Sequence, residues 1–354
     1  MALALAAQDC AMPLAVRPPR GRVLRKVGRA LQIPHLSIVI VNYRLWEETG
    51  RLVEQLVGAR CIQRGTAEVV VIDNHSPAHG VARRLRRWSG VSLRRWGRNR
   101  GFARAVNEGC RLSQGQWILL LNPDIEVSAQ FLDGVLALTE RLAVEEPRAG
   151  IVGFELRNSD GSRQFSSGPF PTLFQTLARL ALPRTRRKYH LLPARQRCRV
   201  PWVTGCCLLL RRECLNQLGG LDRDFFLYYE DVDLCRRAAA QGWSVWFEPA
   251  LQAVHHHPLH LRAVPAYLRL LTRHALLTYA SKHWPGWQFQ LLAHLVQWEA
   301  RLRRYWASCQ EELAIAHLFE QMRAIAADLR LGCLRKARRR LQRVVRSEEQ
   351  LRAP

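Results

Sequence analysis

Apolar and polar residues fall in alternating blocks through the first third of the chain, and the blocks predict strands and helices in turn. Leu36–Val41 is a short β-branched run, and residues 46–59 follow with apolar positions at helical spacing. Residues 68–72 form a second apolar run that breaks at the turn-forming Asp73-Asn74-His75-Ser76-Pro77. Residues 81–88 read as helix, 91–95 as a short strand, 101–112 as helix and 117–121 as a buried strand. This alternation predicts right-handed βαβ units and an α/β fold on a mainly parallel sheet flanked by helices. Ligands of such sheets bind beyond the carboxyl ends of the strands. Those ends are polar here: Asn42, then Asp73 and Asn74, then Asn122-Pro123-Asp124.

After the run 150–156, Asn158-Ser159-Asp160-Gly161-Ser162 predicts a hairpin turn. Residues 170–200 mix Pro, Arg and Lys and predict a mobile connection. A further run, 203–210, precedes Gly219-Gly220, an aromatic stretch 225–229 and the acidic Glu230-Asp231-Val232-Asp233. Beyond about 260 the spacing is helical. The expected organisation is a basic arm over 1–34, a catalytic domain over 35–260 and a basic helical C-terminal extension over 261–354.

Composition changes this picture in one respect. Across 354 residues, 54 Lys+Arg face 29 Asp+Glu, a net charge of +25. That field favours an anionic partner without naming it. The ten cysteines contain no C-x-x-C and read as small buried thiols in a reducing compartment. No uncharged apolar run reaches the roughly 18 residues of a membrane span, and residues 1–34 make a poor signal peptide. A cytoplasmic protein with a basic face is expected.

Three clusters could carry chemistry. Asp124 ends a buried strand, where a carboxylate can meet a divalent cation bound to a diphosphate; it could equally N-cap a helix starting near Val127. Asp231 and Asp233 would lie about 200° apart on a helix, so one should face a cleft while the other does local work. A carboxylate in the cleft is a candidate general base. Of His255-His256-His257, strand alternation lets only one or two face a single ion. No G-x-G-x-x-G follows the first strand and no P-loop motif occurs, which lowers dinucleotide redox and P-loop chemistry.

Taken in order, these segments resemble the successive signatures of family 2 glycosyltransferases. The blocks are Ser37–Tyr43, Val70–Ser76, Asn99–Gly109, Leu120–Asp124, Val203–Arg212, Leu218–Arg236 and Glu248–His255. The chain looks most similar to the rhamnosyltransferase-like branch. The resemblance implies a GT-A fold, an inverting mechanism and Mg²⁺ or Mn²⁺ on the diphosphate of a nucleoside-diphosphate-sugar. It implies that Asp231 is the catalytic base and that Asp124 and His255 are metal-associated. Asn42, Tyr43, Asp73, Asn99, Gly101, Asn107 and Asn122 would belong to the nucleotide and donor pocket, with Asp73 on the base or ribose. Asn122 stands where a full Asp-x-Asp has its first carboxylate. The acceptor would be a saccharide or a lipid-linked saccharide.

Other readings fit less. A sugar-phosphate nucleotidyltransferase needs a Gly-rich loop after the first strand, where this chain has Asn42-Tyr43-Arg44-Leu45-Trp46. A nucleic-acid-binding protein would explain the charge but not the ordered strand-end carboxylates; no nucleic-acid partner is expected. A UDP-hexose donor is the alternative within the same fold. For the basic tail, an anionic membrane surface met by Trp284, Trp287 and Trp298 weighs equally with a solvated helical cap or dimer arm.

Overall fold

The fully buried strand β1 (Leu36–Asn42) organises the molecule. Leu36, Ile38 and Ile40 enter one core, and Val39 and Val41 enter another on the opposite face. This is the two-sided burial of a sheet covered by helices on both faces. The same split runs through β2 (Ala67–Asp73), which in chain order follows α1 (Trp46–Val57) and α2 (Arg60–Gln63).

In this computed structural model the described residues are 33–180, 196–256 and 265–351. The basic arm expected over 1–34 and the centre of the 170–200 connection therefore fall almost wholly outside them. After β2 come α3 (Gly80–Leu85), β3 (Val91–Arg95), α4 (Phe102–Leu112), β4 (Trp117–Leu121), β5 (Ile125–Glu126) and α5 (Ala129–Glu145). Next are β6 (Ala149–Arg157), β7 (Arg163–Gln164), β8 (Ser167–Gly168), α6 (Leu173–Leu180), β9 (Cys198–Arg199) and β10 (Trp202–Val203). Then follow β11 (Cys207–Arg211), α7 (Arg212–Gln217), α8 (Glu230–Ala240) and β12 (Ser244–His255). Four helices complete the described chain: α9 (Ala266–His283), α10 (Gly286–Cys309), α11 (Leu313–Arg330) and α12 (Leu334–Leu351).

The sheet runs β3-β2-β1-β4-β11-β6-β12-β5. Strands β3, β2, β1 and β4 are parallel, as expected from the βαβ pattern. The apolar run 203–210 is broken: Thr204, Gly205 and Cys206 leave the ladder, and β11 enters antiparallel between β4 and β6. Parallel pairing resumes between β6 and β12. The register sets Asn42 beside Asp73 and Leu121 beside Cys207, so the ends of β1, β2 and β4 and the start of β11 gather at one margin of the sheet.

The helical extension packs within the same compact unit, which runs from Ile33 onward. Tyr279 of α9 is buried in the core shared with α4 and α8, and Phe226, in the segment before α8, joins the core of α9–α12. Among the described cysteines all are free; Cys309 at the end of α10 and Cys333 between α11 and α12 are exposed, so the expectation of buried thiols fails for these two. No described helix is long and apolar enough to cross a membrane.

Candidate active site

A cavity of about 640 Å³ opens at the margin where the strand ends gather. Its lining draws on Tyr43 and Arg44 after β1, Asn74 after β2, Asn99 and Gly101 before α4, and Asn122 and Asp124 after β4. Thr204 to Cys206, the aromatic segment Phe226–Tyr229, Glu230 and Asp231 of α8, and His255 form the rest of the chemical wall. Of the predicted site residues, Tyr43, Asn99, Gly101, Asn122, Asp124, Asp231 and His255 meet there.

Asn42, Asp73 and Asn107 do not line the cavity. Asn42 and Asp73 have no exposed surface and spend their polar atoms on one another and on the neighbouring loops. Asn42 Nδ2 donates to Asp73 Oδ1 at 3.0 Å and to Ser76 Oγ at 3.1 Å, while its Oδ1 accepts from Leu45 N–H at 3.1 Å. Asp73 Oδ2 accepts from Arg95 Nε at 2.8 Å. This buried network fixes the two loops whose next residues, Tyr43 and Asn74, do face the cavity. Asn107 clasps Leu221, donating to its carbonyl at 2.7 Å and accepting its N–H at 2.8 Å. In this structure these three stand behind the cavity wall and position it. The neighbouring arginines act likewise, Arg95 on Asp73 and Arg100 stacked 4.6 Å from the Trp96 ring centroid.

Gly101 is required by its surroundings. Its φ is +89°, and a Cβ there would lie 2.7 Å from the Phe226 carbonyl oxygen. Phe102 N–H donates to that same oxygen at 2.7 Å, seating the aromatic segment on the start of α4. Tyr228 and Tyr229 then take left-handed φ of 74° and 65° immediately before α8, a conformation costing about 1–3 kcal/mol per residue. The strain aims the first turn of α8 into the cavity.

That turn separates its acids as the helical spacing predicts. Asp233 is turned inward, accepting from Arg237 Nε at 2.7 Å and pairing with His283 Nε2 at 2.7 Å. Asp231 faces the cavity, and its two oxygens accept the N–H of Gly205 and of Val232, both at 2.8 Å. The break between β10 and β11 is what presents Gly205. Burial pushes Asp231 above the usual carboxylate range, and those two N–H groups pull it back. Burial, then the Asp231 charge, holds Glu230 well above that range. Glu230 Oε2 is buried with no hydrogen-bond partner among the described residues. Burial thus raises both carboxyls, Glu230 more strongly than Asp231.

Asp124 and His255 line the same cavity, with Oδ2 and Nε2 3.4 Å apart. Ser128, not Asp124, caps α5, its Oγ accepting from Phe131 N–H at 3.1 Å, so the capping alternative for Asp124 falls. His256 points away to Glu126 at 2.9 Å, as strand alternation requires, and His257 lies outside the described residues. Gln164 Nε2 is 2.8 Å from His255 Nδ1, while Gln164 Oε1 is buried with no partner. Turning that amide over would let Oε1 accept from Nδ1–H and leave the Nε2 lone pair beside Asp124. Among the described residues no group of three or more His, Cys, Asp or Glu could cage an ion alone. One carboxylate and one imidazole instead suit a hard divalent ion that a diphosphate and water also coordinate.

Residues 34–275 match the model of the glycosyltransferase-like family 2, and the chain belongs to that family. It is 30% identical over 246 residues, 63% of this chain and 78% of the relative, to an N-acetylglucosaminyl-diphospho-decaprenol L-rhamnosyltransferase of Mycobacterium tuberculosis. It is 27% identical over 234 residues to the low-salt glycan biosynthesis hexosyltransferase Agl10 of Haloferax volcanii, covering 63% of this chain and 68% of that one. The rhamnosyltransferase WbbL of Escherichia coli is 29% identical over 167 residues, 46% of this chain and 61% of that protein. The fold is thus the GT-A type expected of the family, within the rhamnosyltransferase-like group.

Several cavity residues escape sequence reading. Gln164 sits on a two-residue strand with no pattern of its own. Glu348 and Glu349 reach the cavity from α12, and only their position as an acidic pair in an Arg-rich helix singles them out.

Proposed function

We propose that this protein is an inverting glycosyltransferase that moves a sugar, rhamnose first among candidates, from a nucleoside-diphosphate-sugar to an acceptor hydroxyl. The acceptor is a saccharide or lipid-linked saccharide of cell-envelope polysaccharide or glycolipid synthesis. The observation that carries this reading is the convergence of Asp231 and the Asp124–His255 pair on one cavity.

In the proposed reaction the acceptor oxygen attacks the anomeric carbon from the side opposite the diphosphate. Its O–H proton passes to Asp231 as the new C–O bond forms, and the bond to the leaving phosphate oxygen breaks with its electron pair on the diphosphate. The backbone N–H groups of Gly205 and Val232 favour the ionised form of Asp231 and orient it while leaving lone pairs for the acceptor. Mg²⁺ or Mn²⁺ held by Asp124 and His255 would supply positive charge to the leaving diphosphate. Tyr43, Asn74 and Asn99 offer polar groups for the nucleoside.

Rhamnose draws support from the names of the Mycobacterium and Escherichia relatives, and a UDP-hexose from that of the Haloferax hexosyltransferase. The decaprenol in the first relative's name supports a lipid-linked acceptor, met at an anionic surface on the inner face of the cytoplasmic membrane. Transfer and hydrolysis are compared with deoxythymidine-diphosphate-rhamnose and a UDP-hexose at matched concentration. Faster turnover of the rhamnose donor is expected; preference for the UDP-sugar overturns the donor, and turnover of neither overturns the transferase reading.

A further inference from the structure

Helix α10 is apolar on two faces. Phe289, Leu292, Ala293, Val296 and Ala300 are buried against the neighbouring helices. On the opposite face Trp287, Trp298, Leu302, Tyr305 and Trp306 are each 57–64% exposed, and Leu291 and Leu295 are about 40% exposed. These positions recur every three or four residues, so they form one stripe along the helix. A helix of 24 residues is about 36 Å long. A surface helix in water ordinarily turns a polar face outward, and a contiguous apolar stripe marks an interaction surface.

The charges beside the stripe name the occupant. Glu299 is the helix's acidic residue, and it is engaged inward by Arg273 at 2.7 Å and Arg303 at 3.0 Å. Arg301 lies 5.2 Å from the Trp298 ring centroid, at the margin of the stripe. The stripe therefore offers apolar and aromatic surface bordered by cationic groups, on a chain of net charge +25. A second copy would bring the same charge into contact, and a stripe about 10 Å wide covers roughly 360 Å², under half of the ~800 Å² per partner usual in stable pairs. Trp and Tyr beside Arg suit the boundary between lipid headgroups and acyl chains.

We infer that the outer face of α10 is a membrane-docking surface that lies flat on an anionic bilayer. Of the tryptophans expected at such a surface, Trp287 and Trp298 belong to it; Trp284 is turned inward, its Nε1 donating to the Pro171 carbonyl at 2.9 Å. This deepens the proposed function, resting on it only for the presence of a membrane near the acceptor, and docking is measured without donor or acceptor.

The experiment is co-sedimentation of the full chain with vesicles of phosphatidylglycerol and phosphatidylcholine, or of phosphatidylcholine alone, using wild type and Trp298→Glu/Leu302→Glu. The expected result is binding to the anionic vesicles that weakens with added salt, is much lower on neutral vesicles, and falls about tenfold or more in the variant. Because both positions are exposed, the variant should keep the wild-type melting temperature and donor binding. Equal binding by the variant would overturn the inference. So would a vesicle-free dimer in sedimentation velocity that the variant abolishes, since the stripe would then be a self-interface. Loss of docking with donor binding intact separates this inference from the transfer reaction.

Discussion

The Tyr43 hydroxyl donates a 2.8 Å hydrogen bond to Oε1 of Glu349, a residue 306 positions further along the chain. Arg44 Nη2 adds a 3.2 Å bond to the Glu349 carbonyl, so the end of α12 is held against the loop after β1. Burial and then the Glu349 bond push the Tyr43 phenol up to about 12. A carboxylate thus engages a group proposed to meet the nucleotide, and places negative charge in a cavity proposed for a diphosphate.

Glu349→Ala should therefore tighten nucleoside-diphosphate binding. Removing a competing hydrogen bond and a like charge is worth about 1 kcal/mol, or roughly fivefold in Kd. Titration calorimetry with the wild type and variant reads this directly. Weaker binding in the variant would instead make Glu349 a contact to the donor.

Glu230 provides a test by pH. Its folded pKa is raised, so the folded state holds a proton that the unfolded chain gives up above the ordinary carboxylate range. Its favourable contribution is full below that range and is lost as pH rises through the raised value. Glu230→Gln keeps the neutral shape and cannot ionise. The variant's melting temperature should gain on the wild type as pH rises from acid toward alkaline, by a few °C. A difference that stays flat with pH would contradict the proton assignment.

Much of this site was legible from apolar runs closed by polar residues. Asp124, Asp231 and His255, which line the cavity, stand out in the sequence because strand ends and helix starts carry local signals. The sense in which Asn42 and Asp73 turn was not legible, since alternation gives the two faces without saying which one the cavity borders. The antiparallel entry of β11 was hidden for a related reason: an apolar run has no direction. Tyr43 and Glu349 could not be paired at all, because the contact depends on how four helices pack back onto the sheet.

Metal removal tests the part proposed for Asp124 and His255. A chelator should stop transfer, and Mg²⁺ or Mn²⁺ should restore it. Asp124→Ala should weaken nucleoside-diphosphate binding chiefly when the ion is present, as should His255→Ala. Gln164→Ala should act in the same direction more weakly, roughly tenfold, as a partner that orients a ligand histidine. Full activity in chelator would remove the ion from the mechanism.

The central claim is that Asp231 takes the acceptor's proton, and Asp231→Asn tests it most directly. Asn keeps the shape of the side chain but loses the proton acceptor. Turnover of the purified variant is measured beside its affinity for the donor. The account predicts a fall of about 10²–10⁴ in turnover with donor affinity nearly unchanged. Retention of more than about a tenth of wild-type turnover would contradict it.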